Sequence, residues 1–233
     1  MNKERLDRVF KQKTWNEIKT KDSWQLFKIM SEFVNGFEKM SRIGPCVTIF
    51  GSARTSPENS YYQLATEIGK QLSENGYGVI TGGGPGIMEA GNKGAKMGGA
   101  PSVGLVIDLP FEATSNNFID DDKNISFDYF FVRKVMFLKY AQAFVVMPGG
   151  MGTLDELFEA LTLIQTKKMD TFPIILVGGH FWKGIMSWMK DTLVKEGMIS
   201  EKDLHLISIV DEPQEVLKII DNFYDNFMLK PNF

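Results

Sequence analysis

From Cys46 onward, short apolar runs alternate with longer segments whose apolar residues recur every three or four positions. The runs read as strands near 46–50, 77–81, 102–108, 127–132, 143–147, 173–177 and 206–210. The longer segments read as helices near 59–75, 87–98, 133–141, 154–166, 181–196 and 213–226. Strands that are apolar throughout are buried on both faces, and regular strand–helix alternation builds a mostly parallel sheet through right-handed crossovers. The pattern therefore predicts an α/β domain over residues 44–233, with helices on both faces of the sheet. Residues 1–43 differ in character and read as an N-terminal helical extension. Asp22 or Ser23 can cap a helix whose apolar stripe is Trp24, Phe27, Met30, Phe33 or Val34, and Phe37, ended by Gly44-Pro45. Such a stripe packs on the main domain or across a subunit interface. Phe111–Asn124, with consecutive acids at Asp120–Asp122, reads as a long surface loop.

Three of the predicted strands run directly into glycine-rich turns. Ala143–Met147 is followed by Pro148-Gly149-Gly150-Met151-Gly152-Thr153 and then a helix with Leu157, Phe158, Leu161 and Ile164 on one face. Tyr77–Thr81 is followed by Gly82-Gly83-Gly84-Pro85-Gly86 and a helix starting near Ile87. Val47–Phe50 is followed by Gly51-Ser52-Ala53-Arg54. A strand, a glycine-rich turn and a helix N-terminus together bind phosphate: free backbone N–H groups point outward and the helix dipole favours an anion. One such turn is a weak signal. Three at the carboxyl edge of a parallel sheet mark the edge where ligands sit.

Composition narrows the remaining classes. A chain of 233 residues, 43% hydrophobic, can bury a substantial core. Its net charge of −3 argues against nucleic acid or an anionic membrane as the main partner. The single cysteine, Cys46, excludes an intramolecular disulfide and a Cys-rich zinc site. His180 and His205 have no acidic or Cys partner at ligand spacing, so no metal is expected. The N-terminus, MNKERLDRVFKQK, lacks an apolar signal core, and no apolar run is long enough to span a bilayer. A cytoplasmic protein is the expectation.

Several side chains near the turns could carry chemistry. Thr153 and Glu156 form T-x-x-E, a capping-box pattern in which both serve the helix start. The functional alternative has Thr153 on a phosphate and Glu156 facing the attached sugar, with Asp155 the solvent-facing acid. Arg133 and Lys134 fall where the strand near 127–132 gives way to a helix, at the dipole end that disfavours cations. A ligand phosphate, or an acid such as Glu156 or Glu89, would resolve this. Glu89, beside Met88 at the next helix start, is also expected on dipole grounds alone.

These residues resemble the Lonely Guy (LOG) family of nucleoside 5′-monophosphate phosphoribohydrolases, the cytokinin-activating enzymes often labelled "possible lysine decarboxylase". The resemblance covers residues 44–212. It rests on Gly82-Gly83-Gly84-Pro85-Gly86-Ile87-Met88-Glu89, similar to the family's GGGxxGxM element, and on Pro148–Glu156, similar to its PGGxGTxxE element. Arg133-Lys134-Val135-Met136 is similar to its RKxxM stretch. The N-terminal extension departs from shorter plant-type members and resembles a longer bacterial subgroup. The resemblance implies a Rossmann-like fold, a homodimer or higher oligomer, and hydrolysis of the N-glycosidic bond of AMP or a cytokinin riboside 5′-monophosphate. Base and ribose 5-phosphate would be the products. By motif position Arg133 and Glu156 would be the catalytic pair, and Gly149, Gly150, Gly152 and Thr153 would hold the 5′-phosphate. Gly51, Ser52, Gly82, Gly83, Gly84, Gly86, Met88, Glu89 and Lys134 would complete the substrate site, with no cofactor.

Three rivals are weighed against this reading. A lysine decarboxylase needs pyridoxal phosphate, and no convincing cofactor-lysine context is present. A classical dinucleotide dehydrogenase needs a G-x-G-x-x-G turn, which Gly82–Gly86 is not. Some proteins resembling the family carry molybdenum cofactor or another phosphorylated ligand without hydrolysing it; the presence of both Arg133 and Glu156 favours the enzyme.

Overall fold

A computed structural model describes residues 15–108 and 115–233, with side chains from Asp22 onward. The first fourteen residues, on which the expectation about a leader rests, and Phe111–Thr114 of the expected loop lie outside the described residues. The chain opens with helix α1 (Trp15–Met40), then β1 (Cys46–Phe50), α2 (Ser60–Glu74), β2 (Gly78–Thr81), α3 (Ile87–Gly98) and β3 (Ser102–Ile107). A single 3-10 turn leads into β4 (Asn124–Phe127), α4 (Phe130–Tyr140), β5 (Ala141–Val146) and α5 (Met151–Gln165). Then come β6 (Ile174–Val177), α6 (Gly179–Trp188) with a π-helical continuation, the short α7 (Glu201–Leu204), β7 (Ile207–Val210) and α8 (Pro213–Tyr224).

Among the described residues seven strands form one sheet in the order β4-β3-β2-β1-β5-β6-β7, and every pairing is parallel. This is the Rossmann-like arrangement. β1 lies between β2 and β5, so the strand order reverses beside it and leaves a crevice at its carboxyl end. The two-residue period of a strand splits the core in two. Val47 and Ile49 of β1 pack with Tyr62, Ile68 and Leu72 of α2 and with Ile87 and Ala90 of α3. Phe50 turns the other way, onto Phe137 and Phe144, each with ring centroids 4.9 Å away. This second face also carries Val132 and Met136 of α4, Leu157 and Leu161 of α5, and Trp182 of α6.

Three elements differ from the sequence expectation, each for a local reason. The strand expected at 127–132 is β4 at Asn124–Phe127, and α4 begins at Phe130. The aromatic run Phe127–Phe131 has strand propensity, yet Phe130 and Phe131 are half exposed on the first turn of a helix. The α5 helix starts at Met151, three residues before the expected Leu154, because Gly150 in extended conformation serves as its N-cap. In the extension, α1 passes Asp22 without a break, and the expected stripe is divided between two faces. Phe33, Phe37 and Met40, joined by Ile29, pack on the α4 side of the core, whereas Trp24, Phe27, Met30 and Val34 are exposed. The buried set keeps the i, i+4, i+8, i+11 spacing of one helix face. No helix of the described residues is long and apolar enough to cross a membrane.

A buried polar network fixes the turn after β2. Asn92 of α3, fully buried, accepts from Thr81 Oγ1 at 2.6 Å and donates to Ser102 Oγ at 3.0 Å and to the Val103 carbonyl at 3.1 Å. Asn116 Nδ2 donates to Asn92 Oδ1 and to the carbonyls of Gly83 and Gly84. Removing Asn92 strands these groups in the interior. Asn92→Ala is expected to lower unfolding free energy by about 2–4 kcal/mol, measured by urea titration.

Candidate active site

The crevice at the carboxyl ends of the strands opens into a cleft of about 1500 Å³. One residue joins the three glycine-rich turns around it. Ser52, after β1, donates its N–H to the Pro148 carbonyl after β5 at 3.0 Å, and its own carbonyl accepts from Ile87 N–H of α3 at 3.0 Å. The approach is so close that a Cβ on Gly86 would lie 2.4 Å from the Ser52 oxygen, and Gly86 has φ +68°. Gly86 is thus demanded by the fold, and it does not line the cleft.

The remaining turn residues do line it: Gly51, Ser52, Gly82, Gly83, Gly84, Met88, Gly149, Gly150, Gly152 and Thr153 all border the cleft, as do Arg133 and Glu156. Gly149 is crowded by Thr153, whose Oγ1 would lie 2.1 Å from a Cβ there. Gly150 and Gly152 differ from it. Beyond its own helix and chain neighbours, a Cβ at either would meet no atom of the described residues within 4 Å, and neither has positive φ. Packing among the described residues does not ask for glycine at these two positions, and Gly152 lies within the first turn of α5, where glycine costs helix stability. Backbone N–H groups of that first turn lack intrahelical acceptors and face the cleft at the positive end of the helix dipole.

Because α5 starts at Met151, Thr153 is its third residue and not its cap, and no side chain caps Gly150. The capping-box reading of Thr153 and Glu156 is therefore overturned. Glu156 sits one turn further in, only 5% exposed, with its side chain leaning back toward the helix start as helical side chains do. No hydrogen bond among the described residues reaches its buried Oε2. Burial pushes the Glu156 carboxyl up to about 7; Lys134 and then Arg133 oppose this, while Glu159 and Asp155 reinforce it.

Arg133 and Lys134 lie in the second turn of α4, past the first-turn groups that carry most of the dipole. They point to different tasks. The Arg133 guanidinium lies 5.0 Å from the Phe130 ring and 5.6 Å from the Phe137 ring, an aromatic flank on both sides. Its Nη1 would lie 3.7 Å from a Cβ on Gly82, across the cleft floor. Lys134 does not line the cleft. Its Nζ is paired with Asp155 Oδ2 at 2.9 Å and Glu159 Oε2 at 2.8 Å. Burial opposes the Lys134 charge, but its bonds to Glu159 and Asp155 outweigh it and hold the ammonium above its ordinary range. Glu89 also lies off the cleft and accepts a 2.7 Å hydrogen bond from the Tyr62 hydroxyl. Arg54, Asp108, Ser115, Asn124, Ser126 and Phe130 are among the further lining residues that the sequence does not single out. The strand-like surroundings of Phe130 hide it, and the polar residues at and around β4 carry no motif.

A cleft with an open helix N-terminus, a buried carboxyl and an aromatic-flanked arginine can hold a phosphorylated ligand with its attached sugar beside the carboxyl. A family model described as "Possible lysine decarboxylase" matches residues 88–220. A Mycobacterium tuberculosis protein named cytokinin riboside 5′-monophosphate phosphoribohydrolase is 32% identical over 160 residues, covering 67% of this chain and 83% of that protein. The chain belongs to the Lonely Guy family. A rice (Oryza sativa subsp. japonica) protein named cytokinin riboside 5′-monophosphate phosphoribohydrolase LOG is 28% identical over 194 residues, covering 82% of this chain and 78% of that protein. Among solved structures, this Lonely Guy chain is similar to the molybdenum cofactor binding protein of Rippkaea orientalis, with TM-score 0.56 and 19% identity over 77% of this chain and 97% of that one. The molybdenum cofactor carrier protein of Chlamydomonas reinhardtii has TM-score 0.56 and 22% identity, covering 78% and 99%. Both show that the Lonely Guy chain shares their fold.

The raised Glu156 carboxyl makes stability depend on pH. An unfolded glutamate ionises near 4.5, whereas the folded one keeps its proton to about 7. Between those values the folded state binds more protons, so stability falls as pH rises and levels off above about 7. Glu156→Gln cannot ionise and removes this loss. The variant's melting temperature, relative to wild type, is expected to be roughly 5 °C more favourable at pH 8 than at pH 4.5, measured by scanning calorimetry.

Proposed function

We propose that this protein is a nucleoside 5′-monophosphate phosphoribohydrolase, a hydrolase that releases the base of AMP or an N6-modified AMP and leaves ribose 5-phosphate. The observation that carries the reading is Glu156, a buried carboxyl one helical turn behind an open N-terminus whose glycines the fold itself does not require. The names of the M. tuberculosis and rice relatives support the reaction class.

In this reading the 5′-phosphate sits on the first-turn N–H groups of α5, with Gly150 and Gly152 leaving room for its oxygens and Thr153 bordering them. The ribose then lies along the path to Glu156. Breaking the bond from C1′ to the base nitrogen sends the electron pair to the base and builds positive charge on the ribose. An ionised Glu156 opposite that charge stabilises the transition state and orients the water that adds to C1′. One proton of this water is lost on addition, and one is delivered to the departing base. Arg133, flanked by two rings, lies where it can hold the phosphate or a ribose hydroxyl. Phosphate binding far from the reacting bond supplies the energy that holds this geometry.

A homodimer or larger oligomer accords with the apolar residues that α1 leaves exposed. A cytoplasmic setting accords with a nucleoside monophosphate substrate.

Purified protein incubated with AMP and, separately, isopentenyladenosine 5′-monophosphate is expected to release free base, followed by chromatography; the ratio of rates identifies the preferred base. Glu156→Gln should retain AMP binding by calorimetry and lose turnover on the order of 10²–10³-fold. Tight ligand retention without base release from either nucleotide would support a carrier instead. Gly152→Ala separates ligand from fold. It should stabilise α5 by roughly 0.5–1 kcal/mol in denaturant titration while weakening AMP binding at least tenfold.

A further inference from the structure

The helix that carries Arg133 begins without a cap of its own. Its N-cap residue, Tyr129, makes no side-chain capping bond, and no acidic residue lies in its first turn. The missing carboxylate arrives from another element: Glu32 of α1 accepts from Asp128 N–H at 2.9 Å through Oε1 and from Tyr129 N–H at 3.3 Å through Oε2. Within a capping box, the acid of the first turn reaches back to the N-cap N–H. Glu32 performs that service from 97 residues earlier in the chain, and its negative charge also complements the positive end of α4.

Contact between the two helices continues past this point. Gly36 meets Met136 so closely that a Cβ would lie 2.9 Å from the thioether sulfur. Tyr140 donates its hydroxyl to the Phe37 carbonyl at 3.4 Å, and Lys139 Nζ lies 5.7 Å from the Phe37 ring. The apolar contacts hold α4 against α1 sideways, but smooth packing resists sliding along the axis less than directional bonds at a terminus do. Arg133 is only four residues beyond Tyr129, so the position of the helix start sets where its guanidinium meets the cleft.

Resting on the phosphoribohydrolase reading, we propose that Glu32 is a positioning residue for Arg133, and that the N-terminal helix thereby belongs to the catalytic apparatus of this chain. Glu32 touches neither substrate nor reacting atoms; it acts by fixing the start of α4. Loss of its carboxylate lets Arg133 drift from the Gly82 side of the cleft, where displacement by about 1 Å is enough to cost on the order of a hundredfold in rate.

The test uses the full chain with Glu32→Ala and Glu32→Gln, the latter keeping one acceptor oxygen. Glu32→Ala is expected to lower kcat for AMP on the order of 10–100-fold, with Glu32→Gln restoring a large part of it. A purely structural cap would lower the melting temperature alone, so a second readout is taken from Glu156. Its ionisation is set by burial together with Lys134, Arg133, Glu159 and Asp155, and moving the arginine away removes a cation that favours the charged form. In a profile of kcat against pH, the midpoint of the limb that ascends as Glu156 ionises should therefore move upward in Glu32→Ala and return in Glu32→Gln. Unchanged kcat and midpoint, alongside a lowered melting temperature, would overturn the proposal. If the wild type releases no base at all, the hydrolase reading has failed by itself. The positioning role is then read from the pH at which the stabilisation by Glu156→Gln levels off, compared in the native and Glu32→Ala backgrounds: an upward shift supports it and no shift overturns it.

Discussion

The site depends on the backbone of Ser52, whose N–H donates to Pro148 and whose carbonyl accepts from Ile87. A parallel sheet delivers each strand's carboxyl end to the same edge, but it does not by itself bring the following turns into contact. The strand order β2-β1-β5 sets the three glycine-rich turns side by side, and the Ser52 backbone bonds the first to the other two. Gly86 permits this through its positive φ and its lack of a Cβ. With the turns tied, the start of α5, the floor at Gly82 and the α4 arginine face a common space. Without that tie the same motifs would be separate loops.

Burial outweighs pairing at Glu156, whereas pairing outweighs burial at Lys134 beside it. Glu156 has two cations in its vicinity, yet burial is the largest influence and its carboxyl rises. The reason is that Lys134 is held by Asp155 and Glu159, so the nearest ammonium arrives with two carboxylates of its own. A buried acid whose ionisation falls near neutrality is poised between two states, and a bound sugar developing positive charge favours the ionised one. Lys134, held off the cleft by Asp155 and Glu159, bears on it through the balance it sets around Glu156.

The alternation of apolar runs made the sheet and its edge legible, because strands buried on both faces write themselves as continuous hydrophobic segments. Glu156, Arg133 and the glycine turns were legible through motif spacing. Helix starts were not. Thr153 looked like a cap because T-x-x-E is a local pattern, whereas Gly150, which carries no capping side chain, begins the helix. Phe130 and Phe131 read as strand because propensity registers aromatic character and not exposure. Motif resemblance sets Lys134 and Glu89 in the substrate site, but it does not show what they pair with. Asp155, Glu159 and Tyr62 lie close by in space, but their pairing depends on how α4 meets α5 and how α2 meets α3.

Glycine illustrates why structure was needed to turn the motif into an argument about function. Every glycine of the PGG-x-G stretch looks alike in sequence, and tight turns alone would account for all of them. In three dimensions they separate. Gly149 yields to Thr153, so its side chain is excluded by the protein itself. Gly150 and Gly152 meet no crowding side chain among the described residues and adopt backbone angles open to other residues, while Gly152 weakens the helix it belongs to. A stability cost with no return in packing is what the proposed reading expects of a backbone approached closely by something outside the protein. That something meets unpaired N–H groups at the positive end of a helix and a carboxyl one turn behind them. A phosphate attached to a sugar satisfies both demands at once.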